Sequence, residues 1–154
     1  MSLVKGDVGE VSQQWAQKLR GNAPRYSALE VYGGRSFQDA SYAAKVLDAK
    51  LFVVSAGLGL IDALEQIPAY ACTVSENAPD SISSRIMARY RKADWWDALQ
   101  RSSPYAVSFL VAAGSDDVPI LASLPESYME MVVAEVMGLP IDRFARLRLF
   151  TRTP

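Results

Sequence analysis

Apolar positions along the chain fall into two periods. After Asp7, Val8, Val11, Trp15 and Leu19 recur at helical spacing, and Gly21-Asn22 followed by Pro24 closes the run. The six residues before it, Met1 to Gly6, read as a lightly tethered end. Arg25 to Val31 fits a short strand or an extended approach. Tyr32-Gly33-Gly34-Arg35-Ser36 reads as a turn, with Ser36 as the N-cap of a helix whose stripe is Phe37, Ala40, Ala44 and Leu47 and which ends near Ala49. Leu51-Phe52-Val53-Val54 then breaks the period. Four apolar residues in a row, two of them β-branched, predict a strand buried on both faces. It runs into Ser55 and two glycines, Gly57 and Gly59.

Ile61 to Tyr70 reads as a loop or helical turn stopped before Pro68, and Ala71 to Val74 as a short strand. Beyond the polar connection Glu76–Asp80, a helix capped by Asp80 or Ser81 is expected through Lys92. A second follows from Ala93 to Arg101, with Trp95, Trp96 and Leu99, and a third from Ser103-Pro104 to Gly114. Val118 to Ser123 reads as a buried strand and Pro125 to Gly138 as a helix with Tyr128, Val132 and Val136 on one side. After a short turn at Pro140, Ala145 to Phe150 reads as a strand carrying Arg146 and Arg148 on one face. Helices alternating with short apolar strands, without repeats or linkers, predict a single α/β domain over residues 1–154, a mixed β-sheet flanked by helices.

Composition narrows the chemistry. The 154-residue chain has a net charge of −1, so no global charge advertises nucleic acid or membrane. It contains no histidine and one cysteine, Cys72. Ser-His-Asp and Cys-His catalysis, His-ligated metals and thiolate zinc clusters are therefore excluded within this chain. No cofactor or metal is expected. Asp116-Asp117 reads as a loop turn, and Cys72 as a small buried apolar residue. One cysteine, a polar start and no apolar run long enough to span a bilayer set the expectation of a cytoplasmic protein.

The candidate ligand site gathers around the first buried strand. Ligands of α/β sheets sit outside the carboxyl ends of strands, where Ser55, Gly57 and Gly59 would lie. The Ser55 hydroxyl and the glycine amides would form a small nest, and a tight strand-ending turn is the simpler reading. Tyr32, Gly33 and Arg35 at the next helix start, with Pro68, Tyr70 and Thr73, complete the expected pocket: Arg35 for an anionic group, Tyr70 as a stacking platform. Asp62 and Glu65, i and i+3 if helical, are the candidate general acid or base. Arg85, Arg89 and Lys92 at i, i+4 and i+7 predict a basic helix face for DNA, set against a merely solvated face. Arg143, Arg146, Arg148 and Arg152 make the last segment basic, fitting edge protection or a homodimer through the C-terminal strand.

Three stretches in this order, Glu30-Val31-Tyr32-Gly33-Gly34-Arg35-Ser36-Phe37, Ser55-Ala56-Gly57-Leu58-Gly59-Leu60 and Ile67-Pro68-Ala69-Tyr70 with Thr73-Val74, resemble the YaaA-type peroxide-stress family and related small bacterial domains. Asp94-Trp95-Trp96-Asp97 and Ile120-Leu121-Ala122-Ser123 before Tyr128 are similar to later steps of the same pattern. The chain departs from it at Leu58, where the family usually has Tyr, at Gly57, where related domains often have Lys, and at Ala69, which splits the Pro-Tyr pair. The resemblance implies an α/β domain that binds DNA, a nucleotide or a nucleobase, tied to oxidative stress and akin to domains of tRNA-deazaguanine modification enzymes. An enzyme acting on a nucleobase or nucleoside and a non-catalytic interaction module are the rival readings.

Overall fold

The computed structural model describes residues 3–150; Met1, Arg152 and Pro154 lie outside them. In chain order its elements are α1 (Val8–Arg20), β1 (Tyr26–Ser27), α2 (Ala28–Val31), α3 (Arg35–Val46), β2 (Phe52–Ser55), β3 (Gly59–Asp62), β4 (Gln66–Ile67), a 3₁₀ turn (Ile82–Ser84), α4 (Lys92–Ser102), α5 (Phe109–Ala113), β5 (Ile120–Ser123), α6 (Glu126–Met137), α7 (Ile141–Phe144) and β6 (Leu147–Phe150). The α/β class holds. The strands form three two-stranded sheets: β1 with β4 and β2 with β3 antiparallel, β5 with β6 parallel.

Three helices carry most of the core. α1 starts in a capping box, in which the Asp7 carboxylate accepts from the Glu10 amide at 2.8 Å and the Glu10 carboxylate accepts from the Asp7 amide at 3.0 Å. Its inner face buries Val11, Trp15 and Leu19. α4 lies between α1 and α6 and buries Trp95, Trp96 and Leu99; α6 adds Met131, Val132 and Val136. Burial of these large side chains is the main stabilising contribution, at roughly 1.5–3 kcal/mol for each aliphatic side chain. The β2–β3 hairpin seats its turn in this layer, with Ala56, Leu58, Leu60 and Ile61 buried. Among the described residues no helix is long and apolar enough to cross a membrane.

Several expectations are corrected. β2 is half-buried at Phe52, Val53 and Val54, because among the described residues its only ladder is to β3, and α3, which precedes it in the chain, has no fully buried residue. Gly34 occupies the cap position of α3 and Ser36 lies inside the helix. The segment after Leu60 forms the end of β3, a turn and β4 rather than a helix, so Asp62 and Glu65 share no helix face. Residues Ser81 to Arg91 form one 3₁₀ turn and then irregular chain with a single β-bridge at Ile86. Two local causes are visible. The Ser84 hydroxyl donates to the Ser81 carbonyl at 2.9 Å, and Gly6 exchanges backbone hydrogen bonds with Arg85 and Met87 at 3.1 and 3.0 Å. The same exchange ties down Gly6. Residues 103–107 are likewise not helical, since the Ser103 hydroxyl and the Val107 amide bond to Leu58 and Leu60; α5 begins only after its cap, Ser108.

Candidate functional site

The Ser55–Gly59 turn is held by side chains reaching in from distant parts of the chain. The indole of Trp95 donates to the Ala56 carbonyl at 2.8 Å and that of Trp15 to the Gly57 carbonyl at 2.5 Å. The Ser103 hydroxyl donates to the Leu58 carbonyl at 2.7 Å, and Gln100 Oε1 accepts from the Leu60 amide at 3.1 Å. A buried carbonyl without a partner is costly, and here two buried tryptophans, which must place their own N–H, satisfy two of them. Gln100 Nε2 in turn donates to Glu135, which also accepts from the Trp96 indole and the Phe109 amide, so α4, α5 and α6 support the turn together.

The amides expected to form an open nest point inward. Ser55 Oγ accepts from the Gly57 and Leu58 amides at 3.2 and 3.1 Å. Ser55 and the turn after it are buried. Gly59 has φ 87°, and a β-carbon there would stand 2.7 Å from Ala106 Cβ, so the position requires glycine on both counts.

On its outer side Ser55 Oγ meets the Tyr70 hydroxyl at 2.6 Å, and the Tyr70 hydroxyl meets that of Tyr32. The Tyr70 ring packs edge-on against Trp15, with centroids 6.3 Å apart, and the Tyr32 ring lies against Phe37 at 5.6 Å. Tyr70 thus works through its hydroxyl, and its ring is already committed. Tyr128, Thr73 and Cys72 border the same cluster. Burial pushes the phenols of Tyr32, Tyr70 and Tyr128 above their ordinary range and the Cys72 thiol up to about 12, with Asp80 reinforcing the thiol's shift and Lys18 opposing it. Near neutral pH the cluster is uncharged and presents O–H groups.

Of the residues named from sequence, Tyr32, Ser55, Gly57 and Tyr70 come together, with Gly59, buried Pro68 and Thr73 around them. Gly33 lies beside Tyr32 and its carbonyl accepts from the Gln38 amide at 3.1 Å; side chains built on Gly33 or Gly34 would meet no atom within 4 Å, so this flank is open. Arg35 is exposed at the start of α3 and, among the described residues, has no hydrogen bond or ion pair to the turn. Asp62 accepts from the Leu64 amide at 2.8 Å in a surface turn, and Glu65 is exposed; neither is hydrogen-bonded to the hydroxyl cluster.

The basic helix face is not formed. Arg85 closes the 3₁₀ turn and Arg89 lies beyond it, outside any helix, and Lys92 pairs with Glu130 across α4 and α6 at 2.5 Å. Arg91 pairs with Asp94, whose carboxyl the guanidinium and the Arg91 amide hold below the ordinary range. Lys92 and Glu130 also line an open cleft of about 640 Å³ with Val74, Glu76, Asn77, Ser83, Tyr90 and Arg91. In the last segment Arg146 is no edge guard. It is buried, donating to the carbonyls of Asp116, Val118, Ala113 and Gly114. Arg143 pairs with Asp142, and only Arg148 projects from β6 as an exposed cation. Among the described residues no group of His, Cys, Asp and Glu is arranged to hold a metal.

The reading of the turn as a free nest missed Trp15, Trp95, Gln100 and Ser103. The usable signal was the tryptophans, since a buried indole needs an acceptor. Comparison with protein-family models, curated proteins and solved structures returned no match.

Proposed function

We propose that the chain is a nucleobase- or nucleotide-binding domain of the YaaA type, its ligand held against the Tyr32 and Tyr70 hydroxyls that Ser55 fixes from behind. The carrying observation is that these residues, from three separate stretches, meet in one hydrogen-bonded cluster. The cluster is uncharged at neutral pH and half-buried, which suits a neutral, flat, hydrogen-bonding group better than a phosphate. Binding of DNA through Arg85 and Arg89 has weaker support, since the neighbouring cations Arg91 and Lys92 are spent on carboxylates. Catalysis by Asp62 or Glu65 draws no support from their surface positions. A part in oxidative stress or nucleic-acid modification rests on the resemblance alone.

The test is NMR of the protein with isotope-labelled tyrosine rings, titrated with nucleobases, nucleosides and nucleotides. The proposal expects saturable shifts of Tyr32 and Tyr70 with the base-bearing ligands and none with inorganic phosphate. Unmoved tyrosines at millimolar base would refute it.

A further inference from the structure

We propose that two copies of the chain pair through the outer edge of β5, antiparallel about a two-fold axis at Ala122, and so join their two-stranded parallel sheets into one larger sheet. In the β5–β6 pair the Ile120 amide donates to the Arg146 carbonyl at 3.0 Å and the Leu124 amide to the Phe150 carbonyl at 3.2 Å. Backbone groups alternate in direction along a strand, so residues 120, 122 and 124 face β6 while the amides and carbonyls of Leu121 and Ser123 face away. Among the described residues no hydrogen bond reaches those outward groups, and both residues are exposed, Leu121 at 55%. The edge of β6 is different. Its outward carbonyl at Leu147 accepts from the Arg148 guanidinium at 2.9 Å, which also holds the Ala145 carbonyl at 2.9 Å. A cation lying along an edge obstructs a further strand. Residues 118–125, Val-Pro-Ile-Leu-Ala-Ser-Leu-Pro, carry no charge at all. Parallel sheets are ordinarily covered on both faces and built of more strands. Here Leu121, Ser123, Arg148 and Phe150 are all exposed.

The occupant is a second copy because the edge is complementary to itself. Pro119 and Pro125 stand three residues to either side of Ala122. Antiparallel pairing centred on Ala122 sets Leu121 of each copy opposite Ser123 of the other, and each such pair exchanges both of its hydrogen bonds. The prolines, which have no amide, then face each other, where no donor is called for. A slip of two residues in either direction sets a proline against Leu121 or Ser123 and leaves a carbonyl unpaired. Ala122 meets its symmetry mate in a close pair without hydrogen bonds, which a methyl group fits, and Ile120 meets Leu124 on the same face. A net charge of −1 gives the copies little mutual repulsion. A two-fold interface requires such a patch, the same on both subunits and matched to itself.

Analytical ultracentrifugation of the full chain tests this, beside the variants Leu121→Pro and Leu149→Pro. These remove an outward amide from β5 and from β6 and break no bond of the β5–β6 ladder; melting curves report whether each is folded. The parent should sediment as a dimer at micromolar concentration. Leu121→Pro should weaken dimerisation at least about tenfold, as the loss of two symmetric hydrogen bonds dictates, and Leu149→Pro should leave it within about twofold. Hydrogen exchange at the Leu121 and Ser123 amides of the parent needs no variant: both should be protected in the dimer and lose that protection on dilution. A parent that stays monomeric to millimolar concentration overturns the proposal. So does a dimer that resists Leu121→Pro or yields to Leu149→Pro. Should either variant fail to fold, the exchange decides: unprotected Leu121 and Ser123 amides in the parental dimer overturn the pairing, and amides protected only in the dimer uphold it.

Discussion

The ring of Tyr70 occupies the space where Gly57 would carry a side chain: a β-carbon there would stand 2.6 Å from Cε2 and 2.8 Å from Cδ2 of Tyr70, and 3.0 Å from Cys72 Cβ. The ring has little freedom to retreat, because its hydroxyl is bonded to Ser55 and Tyr32 and its edge rests on Trp15. Gly57 is thus a condition for assembling the hydroxyl chain.

Gly57→Ala should accordingly destabilise the protein by about 1–3 kcal/mol, the usual range for overpacking a filled interior. Urea unfolding followed by tryptophan fluorescence measures it. A change within ~0.5 kcal/mol would mean that Tyr70 moves aside freely.

Trp15→Phe should keep most of the buried area and lose the donor to the Gly57 carbonyl, 42 residues away. The expected loss is about 1–3 kcal/mol, the penalty of an orphaned buried acceptor. Trp95→Phe should behave alike at the Ala56 carbonyl, where only the weaker Cys72 thiol donor, at 3.5 Å, would remain. Guanidinium chloride titrations of both variants check this, and stability equal to the parent's would show that these bonds do not hold the turn.

Stability should fall at alkaline pH, beginning with Cys72. Its folded-state pKa is about 12 against an ordinary 9.0, so the unfolded chain ionises first. The contribution is complete below pH 9.0 and is lost as pH rises from there toward about 12. Tyr32 and Tyr70, raised above their ordinary 10.0, add a later loss of the same sign. Melting temperatures of the parent should drop from about pH 9, while Cys72→Ala should stay level until about pH 10. Parallel curves for the two proteins would show that the thiol titrates freely in the fold.

Arg146 predicts the largest loss away from the site. Its guanidinium satisfies four carbonyls, and among the described residues no carboxylate pairs with it. Arg146→Met should strand those carbonyls and destabilise by roughly 2–4 kcal/mol, with early hydrogen exchange across residues 113–118. An ordinary surface-sized effect would contradict the staple.

What could be read from the sequence follows from where the forces are local. Asp7 with Glu10 announces α1, and Trp95, Trp96 and Leu99 announce α4, because a cap or an apolar face within one segment decides each helix. Arg85, Arg89 and Lys92 misled, because helical spacing of charges places no demand on the backbone, whereas Ser84 and the distant Gly6 do. The strands on either side of the turn within residues 61–67 depend on pairing with Phe52–Ser55 and Tyr26–Ser27, partners that local propensity does not reveal. The same holds at the site. Tyr32, Ser55 and Tyr70 could each be named as polar groups near turns, but the bonds joining them span 38 and 15 residues. Arg35, three residues from Tyr32 in sequence, stays at the surface because a charge without a buried partner stays in water.

The most direct measurement is a crystal structure of the protein soaked with hypoxanthine. The account predicts the base against the tyrosine cluster, with a polar atom within about 3 Å of the Tyr32 or Tyr70 hydroxyl. A base seated in the Val74–Glu130 cleft, or a crystal with no base at the tyrosine cluster, would contradict it.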